Sequence, residues 1–524
     1  MKIGQILIFI ISILIAITYY FIIKNYPELM PTYIQNLQKY FFSNPETPKQ
    51  QPEYDIIIVG AGLAGLTSAY EANLISNGKL KILLLEQEKK YGGNSIKASS
   101  GINILNSPIQ EKENIKDSYN LFYNDTIRSG KGKSIPQLVS TLVNDSHDIF
   151  NYYTNLGIDL SHVGLLGGHS AARTHRPEKV AVGYHLDSSM FNVVKDIKNI
   201  KYQVNSTVIE LIYDKDKNEV NGVVYYDSFN KKNVKIYSKC VILTCGGFGH
   251  DFGSDSLLKE FVPHLMNFPT TNGPQSKGIG MKIARKIGVQ LVDMDQVQVH
   301  PTAFVNLKNR YEKNKILAAE LIRGVGGILI NQKGMRFSNE LGTRDYVTKR
   351  ILDNCEKNSN SPIDQYEAFI IINQKCVDIY GPNVYYYINL ELLKKYNNFK
   401  EFANTFNIPY DKLSETIIKY NKNENGKEDE FGKKVFPMKF DLNEVIYAGI
   451  ITPSIHYTMG GIKMNNNTEI YNINGQVIKG LFGAGEVTGG VHGGNRLGGN
   501  SLLECAVYGR KSAQSAYNLI KKLN

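Results

Sequence analysis

Uninterrupted apolar runs, rather than alternating ones, set the plan of this chain. The first is Ile3 to Ile23, twenty-one residues without a charge between Lys2 and Lys24. It is apolar on every face, unlike a surface helix of a soluble domain, and as a helix it is long enough to cross a bilayer. Residues 25–53 contain Pro27, Pro31, Pro45, Pro48 and Pro52 and predict a linker. The next run, Asp55-Ile56-Ile57-Ile58-Val59, reads as a buried parallel strand. Gly60-Ala61-Gly62-Leu63-Ala64-Gly65 follows, then a helix predicted over Leu66 to Asn77, then a second buried strand from Lys81 to Leu85, ending at Glu86. Strand, glycines, helix, strand and acid in this order predict a dinucleotide-binding β-α-β unit. The glycines would admit a pyrophosphate to the start of the helix, and Glu86 would bond ribose hydroxyls. A later apolar strand, Val241-Ile242-Leu243, runs through Thr244 and Cys245 into Gly246-Gly247-Phe248-Gly249. No internal repeat is present.

The chain has 524 residues, 42% hydrophobic and 21% charged, which predicts a globular protein of two or more domains. Its net charge of +11 comes without a dense Lys/Arg block or a nucleic-acid motif. That excludes nucleic acid as a partner and leaves a positive field suited to collecting small dianions. The five cysteines form neither CxxC nor CxxCH, so no c-type haem, iron–sulfur cluster or other metal site is encoded by a recognisable motif. The odd count offers no disulfide framework. Residues 1–24 read as a signal-anchor or a cleavable signal peptide. The lack of a small-x-small cleavage site favours the anchor. This points to a membrane-anchored or luminal protein of the secretory pathway (endoplasmic reticulum), with the mitochondrion as the alternative. Lys2 and Lys24 balance and leave the orientation open. Sequons at Asn124, Asn144, Asn205 and Asn466 would permit glycosylation in a lumen.

The chemistry concentrates near the end, in Gly485-Glu486-Val487-Thr488-Gly489-Gly490-Val491-His492-Gly493-Gly494-Asn495-Arg496-Leu497-Gly498-Gly499-Asn500-Ser501-Leu502. Its seven glycines let backbone approach a bulky ligand closely. Arg496 among them is a bidentate partner for a carboxylate. This segment, together with Gly92-Gly93-Asn94-Ser95-Ile96-Lys97-Ala98-Ser99-Ser100-Gly101-Ile102-Asn103 and Thr270-Thr271-Asn272-Gly273-Pro274, resembles the flavoprotein fumarate reductases. The resemblance is to the soluble single-chain type of the fumarate reductase/succinate dehydrogenase superfamily, closest to the eukaryotic haem-less members, and it covers residues 55–518. It implies an α/β fold: a Rossmann-like FAD-binding domain over 54–295 and 458–524, an inserted α+β capping domain over 296–457, and the N-terminal hydrophobic helix ahead of them. It implies FAD at Gly60, Gly62, Ala64, Gly65, Glu86, Asn94, Ser95, Ser99, Ser100, Gly101, Val208, Tyr457, Glu486, Arg496, Ser501 and Leu502. Members that attach FAD covalently do so through a histidine in the Gly92–Asn103 segment. There is none here, so tight non-covalent FAD is expected. Ile279 stands where many relatives have an aspartate.

The same resemblance implies the active site. His300, in Gln298-Val299-His300-Pro301-Thr302, corresponds to a substrate-carboxylate ligand. His456, in Ile455-His456-Tyr457-Thr458-Met459-Gly460-Gly461, and Arg496 correspond to the pair on a second carboxylate. Arg344 corresponds to the proton donor, relayed through Glu320 and Arg323, whose i,i+3 spacing puts both on one face of a helix. Soluble bacterial relatives have a threonine immediately before the glutamate and use it to bond a substrate carboxylate. Here that position is Ala319. The expected reaction is reduction of fumarate to succinate, with free reduced flavin or an unidentified redox partner as electron donor. The alternatives are a reductase of another unsaturated acid, urocanate-like, or a membrane-tethered non-catalytic flavoprotein.

Overall fold

In the computed structural model the described residues are 51–523. The apolar stretch 3–23, with its expected N-terminal helix, and nearly all of the linker lie outside them. Among the described residues no helix is long and apolar enough to cross a membrane. Residues from Pro52 onward form one compact unit.

The apolar runs Tyr54–Val59 and Ile82–Leu85 pair in parallel at the centre of the main sheet. Their neighbours are Ile200–Gln203 on one side and Lys232–Leu243 on the other, with Val477–Gly483 beyond the latter, all parallel. In chain order these five strands lie 3-2-1-4-5. The direction of winding therefore reverses between Tyr54–Val59 and Lys232–Leu243, which opens a crevice at the carboxyl ends of the strands. Gly60 and Thr244 sit at those two ends. An antiparallel excursion, Ser206–Asp214, Glu219–Asp227 and Lys232–Leu243, extends the sheet.

The helix after the glycines runs Leu63–Ile75, three residues earlier than the apolar pattern predicts. Gly62 takes extended backbone and caps it without a side-chain bond of its own, and the Leu63 amide donates to Ser95 Oγ at 2.9 Å. It stops short of Asn77 because Asn77 and Gly78 adopt left-handed backbone, φ +50° and +72°. Gly65 is tightly packed in the turn. A Cβ there would stand 1.9 Å from the Gly60 carbonyl oxygen, and the residue does not line the cavity described below. It is the close-packing glycine of the turn. Gly65→Ala is expected to lower stability by about 1–3 kcal/mol, read as a lower urea midpoint with unchanged m-value.

The C-terminal helix Asn500–Leu523 crosses Leu63–Ile75 on small residues. Ser68 Oγ meets Ser512 Oγ at 3.0 Å and donates to the Gly509 carbonyl at 2.9 Å. This crossing delivers the glycine-rich loop 485–499 to the same crevice.

A second, antiparallel sheet takes its strands from residues 297 to 458: Ile316–Leu317, Val297–Phe304, Ile446–Thr458, Ala368–Asn373 and Ile328–Ile330, with Lys394–Tyr396 also on Ile446–Thr458. Its helices bury a separate apolar core that includes Phe304, Ile370 and Phe402. Val297–Phe304 and Ile446–Thr458 run side by side, with register shifts flanking Val299 and His300. The expected site residues His300 and His456 lie on this pair.

Candidate active site

The crevice is a cavity of about 790 Å³, the size range of cofactor sites. Of the expected cofactor positions, Gly60, Gly62, Ala64, Glu86, Asn94, Ser95, Ser99, Ser100, Gly101, Val208, Tyr457, Glu486, Arg496, Ser501 and Leu502 all line it. Its walls include Gly93 (φ +52°) and Gly246 (φ +73°), where a Cβ would meet nothing within 4 Å and so would project into open space. Glu86 ends the second strand with its carboxylate held by the Ala61 and Glu88 amides at 2.8 and 2.9 Å. Burial raises its pKa. Glu486 accepts from the Thr458 amide and hydroxyl at 2.9 and 3.1 Å, yet burial pushes it up to about 7.

Cations and imidazoles gather at one end of this cavity. His456 and Arg496 line it, and His300 lies behind with its ring 5.0 Å from that of His456. Thr271 Oγ1 meets His456 Nδ1 at 2.8 Å and fixes the ring. The Thr302 amide donates to His300 Nδ1 at 3.2 Å. Burial, then Arg344, hold both imidazoles well below their usual pKa, so both are neutral at neutral pH. His300 Nδ1 also lies 3.1 Å from the Thr302 carbonyl, and its buried Nε2 has no partner. Arg496 lies 4.3 Å over the Tyr457 ring and donates to the Leu497 carbonyl at 3.0 Å. Its Nε is buried without a partner. Burial, then Arg344, lower its pKa to about 10. Among the described residues no carboxylate lies within ion-pair distance of it.

Arg344 opens the helix Arg344–Asn354, where the helix dipole opposes a cation. It is held instead by side chains. Nε donates to Glu320 at 2.8 Å and Nη1 to Gln298 at 2.8 Å. Nη2 is left free of protein partners among the described residues, on a side chain that lines the cavity. Glu320 begins the five-residue helix Glu320–Gly324. It also accepts from the Gly167 amide at 2.8 Å and stands 4.0 Å from Arg323. Burial works to raise its pKa, but Arg344 and Arg323 hold it at about 2. Arg323 is fully buried, and its guanidinium donates to the Glu340 carbonyl. Glu320, Arg323 and His300 stand behind the cavity wall, and Arg344 is on it.

Several residues of this arrangement are not among the expected ones. Gln298 bridges Arg344 to the Arg496 carbonyl at 2.8 Å and to Asn495 at 3.0 Å. It sits two residues before His300, but nothing in a lone glutamine marks it as a brace. Thr271 is another. His169 donates from Nε2 to the Gly498 carbonyl at 3.0 Å and accepts from Arg173 on Nδ1 at 2.9 Å, and Arg173 is in turn paired with Asp117 and Asp125. Burial, then Arg173, lower its pKa to about 4. This array steadies the glycine loop beside Glu320. Gln298→Leu is expected to lower kcat about tenfold through loss of one hydrogen bond to a cation, with flavin content unchanged, measured as steady-state turnover per bound flavin.

Residues 55–502 match the model of the FAD binding domain family. The chain is 38% identical over 478 residues to fumarate reductase 1 of Saccharomyces cerevisiae, covering 88% of this chain and 98% of that protein. It is 37% identical over 469 residues to the fumarate reductase of Schizosaccharomyces pombe, covering 88% of each. Among solved structures, the open conformation of a flavocytochrome c3 fumarate reductase superposes with a TM-score of 0.70 at 29% identity, over 93% of this chain and 81% of that one. With most of its length matched in this way, the chain belongs to the FAD-binding flavoproteins of the fumarate reductase family.

Proposed function

We propose that this protein reduces fumarate to succinate with a non-covalently held FAD. The observation that carries the reading is the set of buried nitrogens without partners, His300 Nε2 and Arg496 Nε, beside the free nitrogen of Arg344 at one end of a dinucleotide-sized cavity. Buried donors and cations left unmatched by protein acceptors call for an anionic ligand. Glu86, the helix start after Gly62 and the open glycines Gly93 and Gly246 fit the adenosine and pyrophosphate of FAD. The cavity wall carries one histidine among the described residues, His456, already bonded to Thr271. Two thiols also line it, and burial pushes Cys245 up to about 12 and Cys505 well above the usual thiol range, which keeps them unreactive. Non-covalent attachment rests on these points.

FAD, when bound and reduced, supplies a hydride to the alkene. The protein must do the rest. Fumarate is a dianion, and hydride addition places further negative charge next to a carboxylate. Arg496 with His456 would hold one carboxylate, and His300 would donate to the other, neutralising charge as it develops. Arg344 would protonate the adjacent carbon from Nη2, the nitrogen without a protein partner. A guanidinium is a weak acid, so the donor must be refilled rapidly. Glu320, in contact with Arg344 and near Arg323, provides the relay. The sheet over 297–458 would act as a cap that excludes water. We take the electron donor to be reduced free flavin or a separate redox partner. The apolar N-terminus would tether the protein to a membrane of the secretory pathway.

A substrate comparison tests the reading. With two carboxylate sites, the rate with fumarate should exceed that with crotonate, which has one carboxylate, by at least about a hundredfold in kcat/KM. Equal rates, or faster turnover of urocanate, would move the assignment to another unsaturated acid.

A further inference from the structure

We propose that Glu504 is a positioning residue for substrate binding: it fixes the Tyr457 ring against Arg496 and so leaves the Arg496 guanidinium free for a substrate carboxylate. This rests on the fumarate reading above. Glu504 lies on the helix Asn500–Leu523 and Tyr457 on the strand Ile446–Thr458. Both are buried. The Tyr457 hydroxyl donates to Glu504 Oε2, and His492 Nε2, from the glycine loop, lies 3.0 Å from the same oxygen. The His492 and Tyr457 rings stand 5.6 Å apart at 74°. One carboxylate oxygen thus ties strand, loop and helix together. Tyr457 and Arg496 line the cavity, whereas Glu504 and His492 stand behind it.

The surroundings of Arg496 give this tie its purpose. A buried guanidinium needs compensating negative potential, and no carboxylate among the described residues lies within ion-pair distance of it. What it has is the Tyr457 ring, with the guanidinium carbon 4.3 Å over its centroid. The face of an aromatic ring is negative and attracts a cation, most strongly where water is excluded. A phenol that donates to a buried carboxylate is polarised further, which deepens that face. Burial, then Glu504, push the Tyr457 hydroxyl well above the usual phenol range, so it keeps the proton it donates. A carboxylate set directly against Arg496 would occupy the same N–H groups as the substrate. Placed one ring behind, Glu504 steadies the cation and its Nε stays without a protein partner.

The test is steady-state kinetics on the flavin-loaded full chain. Glu504→Gln keeps the side-chain size and removes the charge. Tyr457→Phe keeps the ring under Arg496 and cuts its link to Glu504. Each should raise the KM for fumarate about fivefold, the scale of a weakened buried cation–π contact, with kcat within about twofold because ground state and transition state lose the contact alike. The double variant separates positioning from general support. Acting through the hydroxyl, Glu504→Gln should add less than about twofold once Tyr457→Phe has removed that hydroxyl, whereas independent structural roles would multiply to about twenty-five-fold. Should Glu504→Gln fail to retain flavin, Tyr457→Phe still tests the link, because it leaves the carboxylate in place. An unchanged KM in either single variant, a multiplicative double variant, or a fall in kcat in place of the rise in KM would each overturn the inference. Those results with a fumarate-active wild type leave the proposed reaction standing. A wild type inert toward fumarate would remove both.

Discussion

Arg344→Ala is expected to abolish turnover, lowering kcat by about a thousandfold or more, the upper range for a positioned proton donor, while the flavin stays bound. The size follows from its geometry. Two of its nitrogens are committed to Glu320 and Gln298, which fixes the third against the cavity. The position at the start of a helix is electrostatically poor for a cation, so stability alone gives no reason for an arginine there. Truncation removes the donor, leaves Glu320 without its nearest cation and frees Gln298 from its bridge to the Arg496 loop. Arg344→Lys restores charge but not the planar fork, and should recover only a small part of the rate. Single-turnover oxidation of the reduced enzyme by fumarate, followed at the flavin absorbance, separates this from a defect in reduction. Near-normal kcat in Arg344→Ala would remove it as the donor.

Glu320→Ala should do comparable damage by a different route. It leaves Arg344 and Arg323 facing each other in a buried site with no anion between them. Loss of one partner from a buried ion cluster costs about 3–5 kcal/mol, a large share of ordinary domain stability. Turnover should fall with it, because the relay loses its middle member. Glu320→Gln keeps the volume and gives the cleaner kinetic comparison. The wild-type group also predicts a pH signature. Its folded pKa, about 2, is depressed from 4.5, so its contribution is complete above pH 4.5 and is lost as pH falls toward 2. His169 acts in the window above. Its pKa is lowered from 6.5 to about 4, so between those values the unfolded chain binds a proton that the folded chain refuses, and stability falls as pH drops. Thermal melts from pH 7 to 3 should therefore decline throughout. In Glu320→Gln the decline below pH 4.5 should become shallower, with Glu340, also held at about 2, supplying what remains, while the upper segment is unchanged. A wild-type melting curve flat across that range would contradict the assigned environments.

Much of this arrangement is legible in sequence because local rules produce it. The apolar runs at Ile56–Val59 and Ile82–Leu85 have nowhere to go but the centre of a sheet, and glycines between strand and helix put a bare helix start at the crevice. Arg496 is conspicuous because a long cation in a run of glycines has no neighbours to pack against. The braces are not legible. Gln298, Thr271 and His169 act on groups far away in sequence, through contacts that exist only after two sheets and two crossing helices are assembled. Gly65 shows the reverse problem. Its place in the glycine fingerprint is plain in sequence, but that a Cβ there meets the Gly60 carbonyl is seen only in the folded turn. The helix starting at Leu63 instead of Leu66 has the same origin, since Gly62 caps it by backbone shape rather than by a side chain that a pattern could register.

The central claim is that the unmatched nitrogens around Arg496, His300 and Arg344 bind fumarate next to a reducible flavin. The most direct test is oxidation of pre-reduced methyl viologen by the purified, FAD-loaded protein on addition of fumarate, with the product identified. Rapid oxidation that requires fumarate and yields one succinate per two dye electrons is the predicted result. Flavin-loaded protein that leaves the reduced dye unchanged when fumarate is added would contradict it.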